Sequence, residues 1–165
     1  MNVTDQLLQN NRAYAEGFDA GALSKLPAKN LAIVVCMDTR LNPYEILGLE
    51  PGDAHLIRNA GGIVGDEEIR SLAISQRKLG TREVMLIHHT DCGMLGLDDE
   101  EFAQELEREA GTPPPWRPGG FSDLEEDVRD SIARIRESPF IPHKDSVRGF
   151  VYEVESGKLR EVAAQ

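Results

Sequence analysis

Three residues of this sequence have the types and spacing expected of ligands for a soft or borderline metal: Cys36, His89 and Cys92. His89 and Cys92 are three positions apart, a common spacing for a close pair of zinc ligands, and Cys36 would be the distant third ligand. Two thiolates and an imidazole favour zinc over magnesium or calcium. Three protein ligands leave a fourth position for water or a carboxylate, as in catalytic zinc sites. The alternative is that both cysteines are buried as small apolar side chains.

A carboxylate and a guanidinium follow the first cysteine at alternate positions, as Asp38 and Arg40. While the backbone stays extended, residues 36, 38 and 40 share one face. An exposed ion pair would contribute little, but beside a metal Arg40 would hold the carboxylate of Asp38 in a fixed orientation. Because Asp38 is so close to Cys36, we also predict it as a fourth metal ligand in a closed form at low pH. At high pH it would turn to Arg40 instead.

Residues 60–65, Ala-Gly-Gly-Ile-Val-Gly, nearly match the dinucleotide fingerprint G-x-G-x-x-G. Ala60 replaces its first glycine, and Glu83, the acid at about the right distance, would begin its strand rather than end it. A tight loop that lets the backbone approach the metal pocket is the better interpretation. Two neighbours of the ligands also have ordinary interpretations: Asp91 as a turn residue, and His88 as a side chain pointing away from His89 to pack or hydrogen-bond.

Two buried strands would bring the three ligands together. Residues 31–35 and 84–87 are unbroken apolar runs, typical of strands covered on both faces, and each leads directly into the polar residues. Strands alternate with helical patterns, which predicts an α/β fold with a mainly parallel central sheet flanked by helices. The carboxyl ends of parallel strands meet at one edge of the sheet, so we expect a single site there.

The predicted elements follow from apolar periodicity, capping residues and glycine stops. Helices are predicted from residues 4–5 to about Ala20, from Pro43 to Gly48 after an Asn42 cap, and at 66–79, 98–110 and 122–137. Strands are predicted at 31–35, 54–58, 83–89, 147–155 and 159–162, the last two as a C-terminal antiparallel hairpin. Residues 111–120, rich in proline, form a surface excursion.

Composition narrows the class of protein. The 165 residues favour one domain, 1–165, in which residues 1–25 form an N-terminal helical arm. The apolar stripe of that arm is thin, so we expect it to pack on a second subunit. With 18 basic and 29 acidic residues the net charge is −11, which argues against nucleic acid or an anionic membrane as partner. We find no apolar run of roughly 20 residues and no signal peptide, and expect a cytoplasmic protein.

Three motifs, taken in order, resemble the β-class carbonic anhydrases: Cys-Met-Asp-Thr-Arg at 36–40, Arg-Asn-Ala-Gly at 58–61 and His-Thr-Asp-Cys-Gly at 89–93. The likeness is strongest to a short bacterial branch with His-His-Thr-Asp-Cys-Gly-Met, here 88–94. Many members have glycine where this sequence has His88. The resemblance implies one zinc ion per chain on Cys36, His89 and Cys92, and a dyad of Asp38 and Arg40.

The resemblance also implies an activity and an assembly. A zinc-bound hydroxide would attack carbon dioxide, and bicarbonate would leave. Carbonyl sulfide or carbon disulfide is an alternative substrate of the same site. Gly61 and Gly93 are predicted to line the substrate pocket. Members of the family are homodimers or larger, with the N-terminal helix reaching over the partner.

Some alternatives stay open at this point. His55, His88 and His143 have the chemistry to carry the proton away from the site. The two cysteines would also suit a non-catalytic zinc or redox-sensing protein. Residues 61–65 would serve a nucleotide-binding module.

Overall fold

The computed structural model describes residues 2–19, 21 and 23–164. Its strands are β1 (Leu31–Cys36), β2 (Ala54–Asn59), β3 (Glu83–His89), β4 (Val147–Tyr152) and β5 (Leu159–Val162). Its helices are α1 (Val3–Glu16), α2 (Pro43–Leu47), α3 (Asp66–Leu79), α4 (Asp99–Ala110) and α5 (Leu124–Glu137), with a 3-10 turn at Ala60–Gly62.

The strands form one sheet in the order β2-β1-β3-β4-β5. The first four run parallel, and β5 returns antiparallel to β4. This confirms the predicted fold class. The chain passes from β1 to β2 on one side and then crosses to β3 on the other, so the strand order reverses at β1. In open α/β sheets ligands bind at such a reversal, beyond the carboxyl ends of the strands.

Both faces of the central strands are covered. Val34 and Leu86 pack on one face with residues of α3 and α5, including Leu72 and Ile132. On the other face Ile33, Val35 and Ile87 pack against Leu41 and Leu49, which flank α2. Strands buried on both sides need apolar residues at every position, which explains the unbroken runs in the sequence.

The termini of several elements differ from the prediction. Helix α1 is capped by Asn2, whose side chain and that of Asp5 form a capping box, so the predicted start at 4–5 is late. It ends at Glu16, because Gly17 follows, and the predicted end at Ala20 lies outside the described residues. Helix α5 begins at Leu124 after an Asp123 cap, two residues later than predicted. Strand β4 ends at Tyr152, earlier than predicted, because the backbone then turns.

Helix α1 carries an uncovered apolar stripe. None of its residues is buried, and its larger apolar side chains are at least half exposed, as is Phe18 just beyond it. Exposure on this scale is unusual for a helix that packs only on its own domain. None of the described helices has the length and apolar character needed to cross a membrane.

Candidate metal centre

The carboxyl ends of β1 and β3 bring the three predicted ligands together. Cys36 is the last residue of β1 and His89 the last of β3. Cys92 follows a short turn in which Asp91 has a left-handed backbone, with φ of 56°. All three residues are buried, and their Sγ and imidazole nitrogen atoms lie within 4.8 Å of one another. The site thus combines residues that are 56 positions apart in the chain.

The spacing of the donor atoms suits a tetrahedral metal. The two sulfurs are 4.0 Å apart. Around a tetrahedral zinc ion, two ligand atoms lie roughly 3.3–3.8 Å apart, given the usual zinc–nitrogen and zinc–sulfur bond lengths. A small contraction of this cluster would therefore bring the three donors to bonding distance of one ion.

The orientation of His89 supports the same conclusion. Its Nδ1 lies 2.8 Å from the carbonyl oxygen of Thr90, to which the Nδ1–H donates. That bond leaves the lone pair on Nε2, and Nε2 is buried with no hydrogen-bond partner among the described residues. A buried acceptor without a partner is costly, and a metal ion would satisfy it. The residues present therefore fit a bound metal.

The two thiols are electrostatically coupled. A hydrogen bond from the Cys92 thiol lowers the pKa of Cys36 against the opposing effect of burial, and raises the pKa of Cys92. Backbone N–H groups of Asp38 and Gly61 also stabilise the Cys36 thiolate. Burial lowers the pKa of His89, but the adjacent Cys36 sulfur and the bond to Thr90 raise it by more. The cluster thus holds one negative charge readily, and a cation would be needed to hold two.

Asp38 and Arg40 form a bidentate pair beside the ligands. Nε of Arg40 donates to Oδ1 of Asp38 at 3.0 Å, and Nη2 donates to Oδ2 at 2.8 Å. Oδ2 of Asp38 lies 3.7 Å from Nε2 of His89. The hydrogen bond from Arg40 holds the pKa of Asp38 well below its usual range, so this carboxyl is ionised beside the cluster.

The prediction that extended backbone brings Asp38 and Arg40 together is wrong. Strand β1 ends at Cys36, so residues 36, 38 and 40 do not alternate along extended backbone. Instead the chain turns, with the N–H of Leu41 donating to the carbonyl of Asp38 at 3.1 Å. The N–H of Arg40 also donates to Oδ1 of Asp38, at 2.9 Å. A local turn built on the aspartate side chain therefore brings the pair together.

Two further residues support this turn: Arg58, to which the sequence assigned no role, and Asp91, interpreted from the sequence only as a turn residue. Arg58, near the end of β2, donates from Nε and Nη2 to the carbonyl of Cys36 and from Nη2 to the carbonyl of Asp38, at 2.8 to 3.1 Å. Asp91 accepts from Nη1 of Arg40 through its carboxylate and from Nη2 through its carbonyl, at 2.8 and 2.9 Å. Their positions in the predicted motifs were the only signal available, since contacts across the sheet edge depend on the folded chain.

The three histidines with the chemistry to carry a proton lie in different places. His88 is fully buried on the opposite side of β3 from His89, and its Nε2 is 2.6 Å from Oδ2 of Asp127 on α5. His55 pairs in register with Ala32, at the amino end of the sheet, and its Nδ1 bonds Ser75. His143 precedes β4 and lies at that same end, where its backbone bonds Gln76. Of the three, His88 alone is at the level of the metal cluster.

The predicted pocket glycines have different surroundings. Gly61 has φ of 89°, and a Cβ there would lie 3.2 Å from Met94 and 3.3 Å from Phe121. Met94 and Phe121 pack around the two cysteines. Around Gly93 a Cβ would meet nothing within 4 Å. Gly61 is therefore in the wall beside the cluster, and Gly93 faces open space.

The start of α3 is unsuited to a nucleotide pyrophosphate. Its first turn contains Asp66, Glu67 and Glu68, and the Glu68 carboxylate already accepts from the N–H of Gly65 at 2.8 Å. An anion at this helix terminus would meet like charge and an occupied donor. This argues against the nucleotide-binding alternative.

Comparison with known proteins gives consistent matches. The carbonic anhydrase family matches residues 31–116. Beta-carbonic anhydrase 1 of Mycobacterium tuberculosis is 54% identical over 162 residues, which cover 98% of this chain and 99% of that protein. A carbon disulfide hydrolase of Saccharolobus solfataricus is 36% identical, over 81% of this chain and 77% of that protein. The crystal structure of a carbonic anhydrase from Streptococcus mutans superposes with a TM-score of 0.91 at 41% identity, covering 99% of each chain.

Proposed function

This chain belongs to the β-class carbonic anhydrases, and from that premise we propose that it catalyses the reversible hydration of carbon dioxide at one zinc ion held by Cys36, His89 and Cys92. The observation that carries the zinc assignment is the buried Nε2 of His89, which has no hydrogen-bond partner among the described residues and lies in one cluster with two thiols. Sulfur-rich donor sets of this kind favour zinc over hard cations.

The zinc ion would act as a Lewis acid that lowers the pKa of a water from ~16 toward ~7. The protein would supply orientation and charge. Asp38 is ionised and can only accept hydrogen bonds, so at Oδ2 it would hold the proton of the attacking oxygen and direct its lone pair toward the substrate carbon. Arg40 keeps Asp38 in that state and orientation. Thiolate ligands donate negative charge to the metal, which makes a bound water less acidic. Asp38 and Arg40 would offset part of this effect by fixing the hydrogen-bond geometry of that water.

The surroundings of the cluster suit a small neutral substrate. Ile63, Met94 and Phe121 pack around the cysteines, and Gly61 lets the backbone lie against them. We place the carbon dioxide pocket along this apolar wall, with Gly61 in the wall and Gly93 at its open edge. The net charge of −11 does not oppose entry of a neutral molecule and favours release of bicarbonate.

We further propose a homodimer or larger homo-oligomer in the cytoplasm. The exposed apolar stripe of α1 supports the oligomer, because a second copy would cover it. Thiolate metal ligands favour a reducing compartment.

Hydrolysis of carbon disulfide or carbonyl sulfide is the second candidate. It is favoured by the 36% identity to a carbon disulfide hydrolase, although that match covers less of this chain than the carbonic anhydrase does. Both reactions would use the same oriented nucleophile on a linear, neutral substrate. The motifs of this sequence do not separate the two substrates, so the distinction must come from kinetics.

The test is a stopped-flow comparison on one metal-replete sample. Carbon dioxide hydration is followed with a pH indicator, and release of sulfide from carbonyl sulfide and carbon disulfide is measured in parallel. We expect hydration to exceed both hydrolyses by orders of magnitude in kcat/KM. Faster sulfide release than hydration would replace the first function by the second, and neither activity in a zinc-loaded sample would overturn both.

A further inference from the structure

Asp91 connects the turn that carries two metal ligands to the guanidinium of Arg40. The carboxylate of Asp91 accepts from Nη1 of Arg40 at 2.8 Å, and its carbonyl oxygen accepts from Nη2 at 2.9 Å. Asp91 and Arg40 are 51 positions apart, so these bonds join the loop after β3 to the loop after β1.

The guanidinium of Arg40 binds the carboxylates of two aspartates, each through different nitrogen atoms. The edge formed by Nε and Nη2 faces Asp38, and Nη1 faces the carboxylate of Asp91. A guanidinium is planar, so fixing one edge on Asp91 also fixes the plane and direction of the edge that meets Asp38. Without Asp91, Arg40 would be held by Asp38 alone and could rotate with it.

The backbone conformation of Asp91 allows its carbonyl oxygen to contact Arg40. Its φ of 56° is in the left-handed region, which few residues other than glycine, asparagine and aspartate adopt. In this turn the carbonyl of Asp91 accepts a hydrogen bond from Arg40, and the next residue, Cys92, lies in the buried cluster. The ligand turn and the Arg40 anchor are thus one piece of structure.

Stability does not account for this arrangement. The Asp91 side chain is 79% exposed and that of Arg40 is 44% exposed. Exposed ion pairs contribute little to folding free energy. The effect of the Asp91 contacts must therefore lie in geometry, since a small displacement of a group that orients a reactant lowers the rate.

We propose that Asp91 is a positioning residue of this enzyme, which fixes the plane of the Arg40 guanidinium and through it the direction of the Asp38 carboxylate. The inference rests on the proposed function, because Asp38 must orient the attacking oxygen for its direction to matter. Asp91 itself does not touch the substrate. Its removal should lower kcat and kcat/KM together and leave KM unchanged.

The experiment uses the zinc-loaded full chain with three substitutions. Asp91→Gly removes the carboxylate and keeps both the carbonyl and the left-handed turn. Asp91→Asn keeps an acceptor without charge. The matched control is Asn30→Gly, because Asn30 is the other described residue besides glycine with a left-handed backbone, at φ of 51°. Asn30 directly precedes β1, whereas the site lies at the opposite, carboxyl end of that strand.

We expect Asp91→Gly to lower kcat by about twofold to fivefold, the range of one exposed charge-assisted contact. Asp91→Asn should retain part of the rate, and Asn30→Gly all of it. In the Arg40→Ala background Asp91→Gly should have no further effect, since Asp91 acts only through Arg40. An undiminished effect in that background, or loss of zinc from Asp91→Gly, would overturn the proposal in favour of a role in the ligand turn.

A second measurement does not depend on turnover. In protein labelled with ¹⁵N-arginine, the side-chain N–H signal of Arg40 is assigned by its absence from Arg40→Lys. Asp91→Gly should speed the exchange of these protons with solvent, and Asn30→Gly should not. An unchanged Arg40 signal in Asp91→Gly would refute the anchoring itself. Absence of hydration by the wild type would instead refute the proposed function, which this spectrum does not depend on.

Discussion

The sulfur atoms of Cys36 and Cys92 lie 4.0 Å apart, although 56 positions separate the two residues in the chain. They are brought together by two strands that are both buried on both faces and end at the same edge of the sheet. A hydrogen bond between the thiols lowers the pKa of Cys36 and raises the pKa of Cys92, so the shared proton is held on Cys92. A divalent cation would displace that proton and neutralise both sulfurs, so this distance is the basis of the first prediction.

Replacing Cys92 with serine should remove most of the zinc and nearly all of the activity, because a serine hydroxyl is not ionised at neutral pH and is a poor zinc ligand. Metal content is measured by mass spectrometry on the purified protein, and hydration by stopped flow. Circular dichroism and the urea midpoint show whether the variant is folded. Full zinc occupancy with normal turnover in Cys92→Ser would contradict the assignment.

The sequence predicts the helices and strands of this fold better than the contacts between its loops. The bounds of α3 and β3 agree with the prediction, because a regular apolar pattern and a following glycine define α3. The three predicted ligands meet because parallel strands place their carboxyl ends together, a rule that needs no coordinates. A sequence pattern can therefore predict at which edge of the sheet, and how far along its strand, each residue lies.

Contacts that depend on loop geometry could not be predicted. The bond between Asp91 and Arg40 requires a left-handed turn in the loop after β3 and a matching turn in the loop after β1. The contact of His88 with Asp127 depends on how α5 packs against β3. Cap positions were uncertain for a simpler reason: Ser122 and Asp123 are adjacent, both are good caps, and only the structure chooses between them.

The backbone at Gly62 allows a second prediction. A Cβ at Gly62 would lie 2.8 Å from the backbone nitrogen of Cys36 and 3.1 Å from the carbonyl oxygen of Ile87, at φ of 68°. Gly80 is a matched control, with φ of 80° and nothing within 4 Å. Gly80→Ala should lower the free energy of unfolding by about 1–2 kcal/mol from backbone conformation alone. Gly62→Ala should lower it by roughly 3 kcal/mol or more, because a clash with fixed backbone adds to that strain.

Urea unfolding at one protein concentration measures both substitutions. We expect zinc content to fall in Gly62→Ala as well, since the clash is with Cys36. Equal losses of stability in the two variants would show that the loop does not lie against β1 as closely as described.

Assembly is the subject of the third prediction. Deleting residues 1–20 removes α1 and with it the exposed apolar stripe. We expect the truncated chain to lose its dimer contacts and, with them, most of its activity, because the resemblance to the β-class carbonic anhydrases implies an active site near the interface between subunits. Light scattering at the assay concentration gives the mass. A fully active monomer of stable fold would refute the proposed role of the arm.

The contacts of Asp99 lead to a prediction about pH. Its carboxylate accepts from Nε of Arg117 at 2.7 Å and from the N–H of Gly120 at 2.6 Å, which fixes the proline-rich segment. Burial raises the pKa of Asp99, but Arg117 and the backbone donors outweigh it and lower the pKa below the usual range. The contribution of ionised Asp99 to the stability of the fold is thus complete above the ordinary carboxyl pKa of ~3.9. It is lost as the pH falls through the lower pKa that Asp99 has in the folded protein.

Trp116, the single tryptophan in the sequence, lies in that segment and reports on it. Quenching of its fluorescence by acrylamide should increase in Asp99→Asn at pH 7. In the wild type it should increase only below about pH 4. The control is Glu100→Gln, an exposed neighbour on the same helix. Equal quenching of Asp99→Asn and wild type at pH 7 would show that Asp99 does not hold the segment.

The last prediction concerns the two partners available to Asp38. In the structure Arg40 binds both of its carboxylate oxygens, and Oδ2 is 3.7 Å from Nε2 of His89. Two ligands of a tetrahedral zinc ion lie roughly 3.3 Å apart when both bonds are near 2.0 Å. Asp38 is therefore a small movement away from the fourth position on the metal, and Arg40 is what opposes that movement.

Arg40→Ala removes that opposition. The Asp38 carboxylate should then compete with water for the fourth position on zinc over a wider pH range. The midpoint of the activity profile should move to higher pH. That midpoint is a property of the coupled site and not of one titrating group. X-ray absorption at the zinc edge is recorded across pH beside the activity profile. Carboxylate and water both bind through oxygen, so the double variant Arg40→Ala/Asp38→Asn is the necessary control. If the spectra and midpoints of the single and double variants coincide with those of the wild type, Asp38 does not reach the metal.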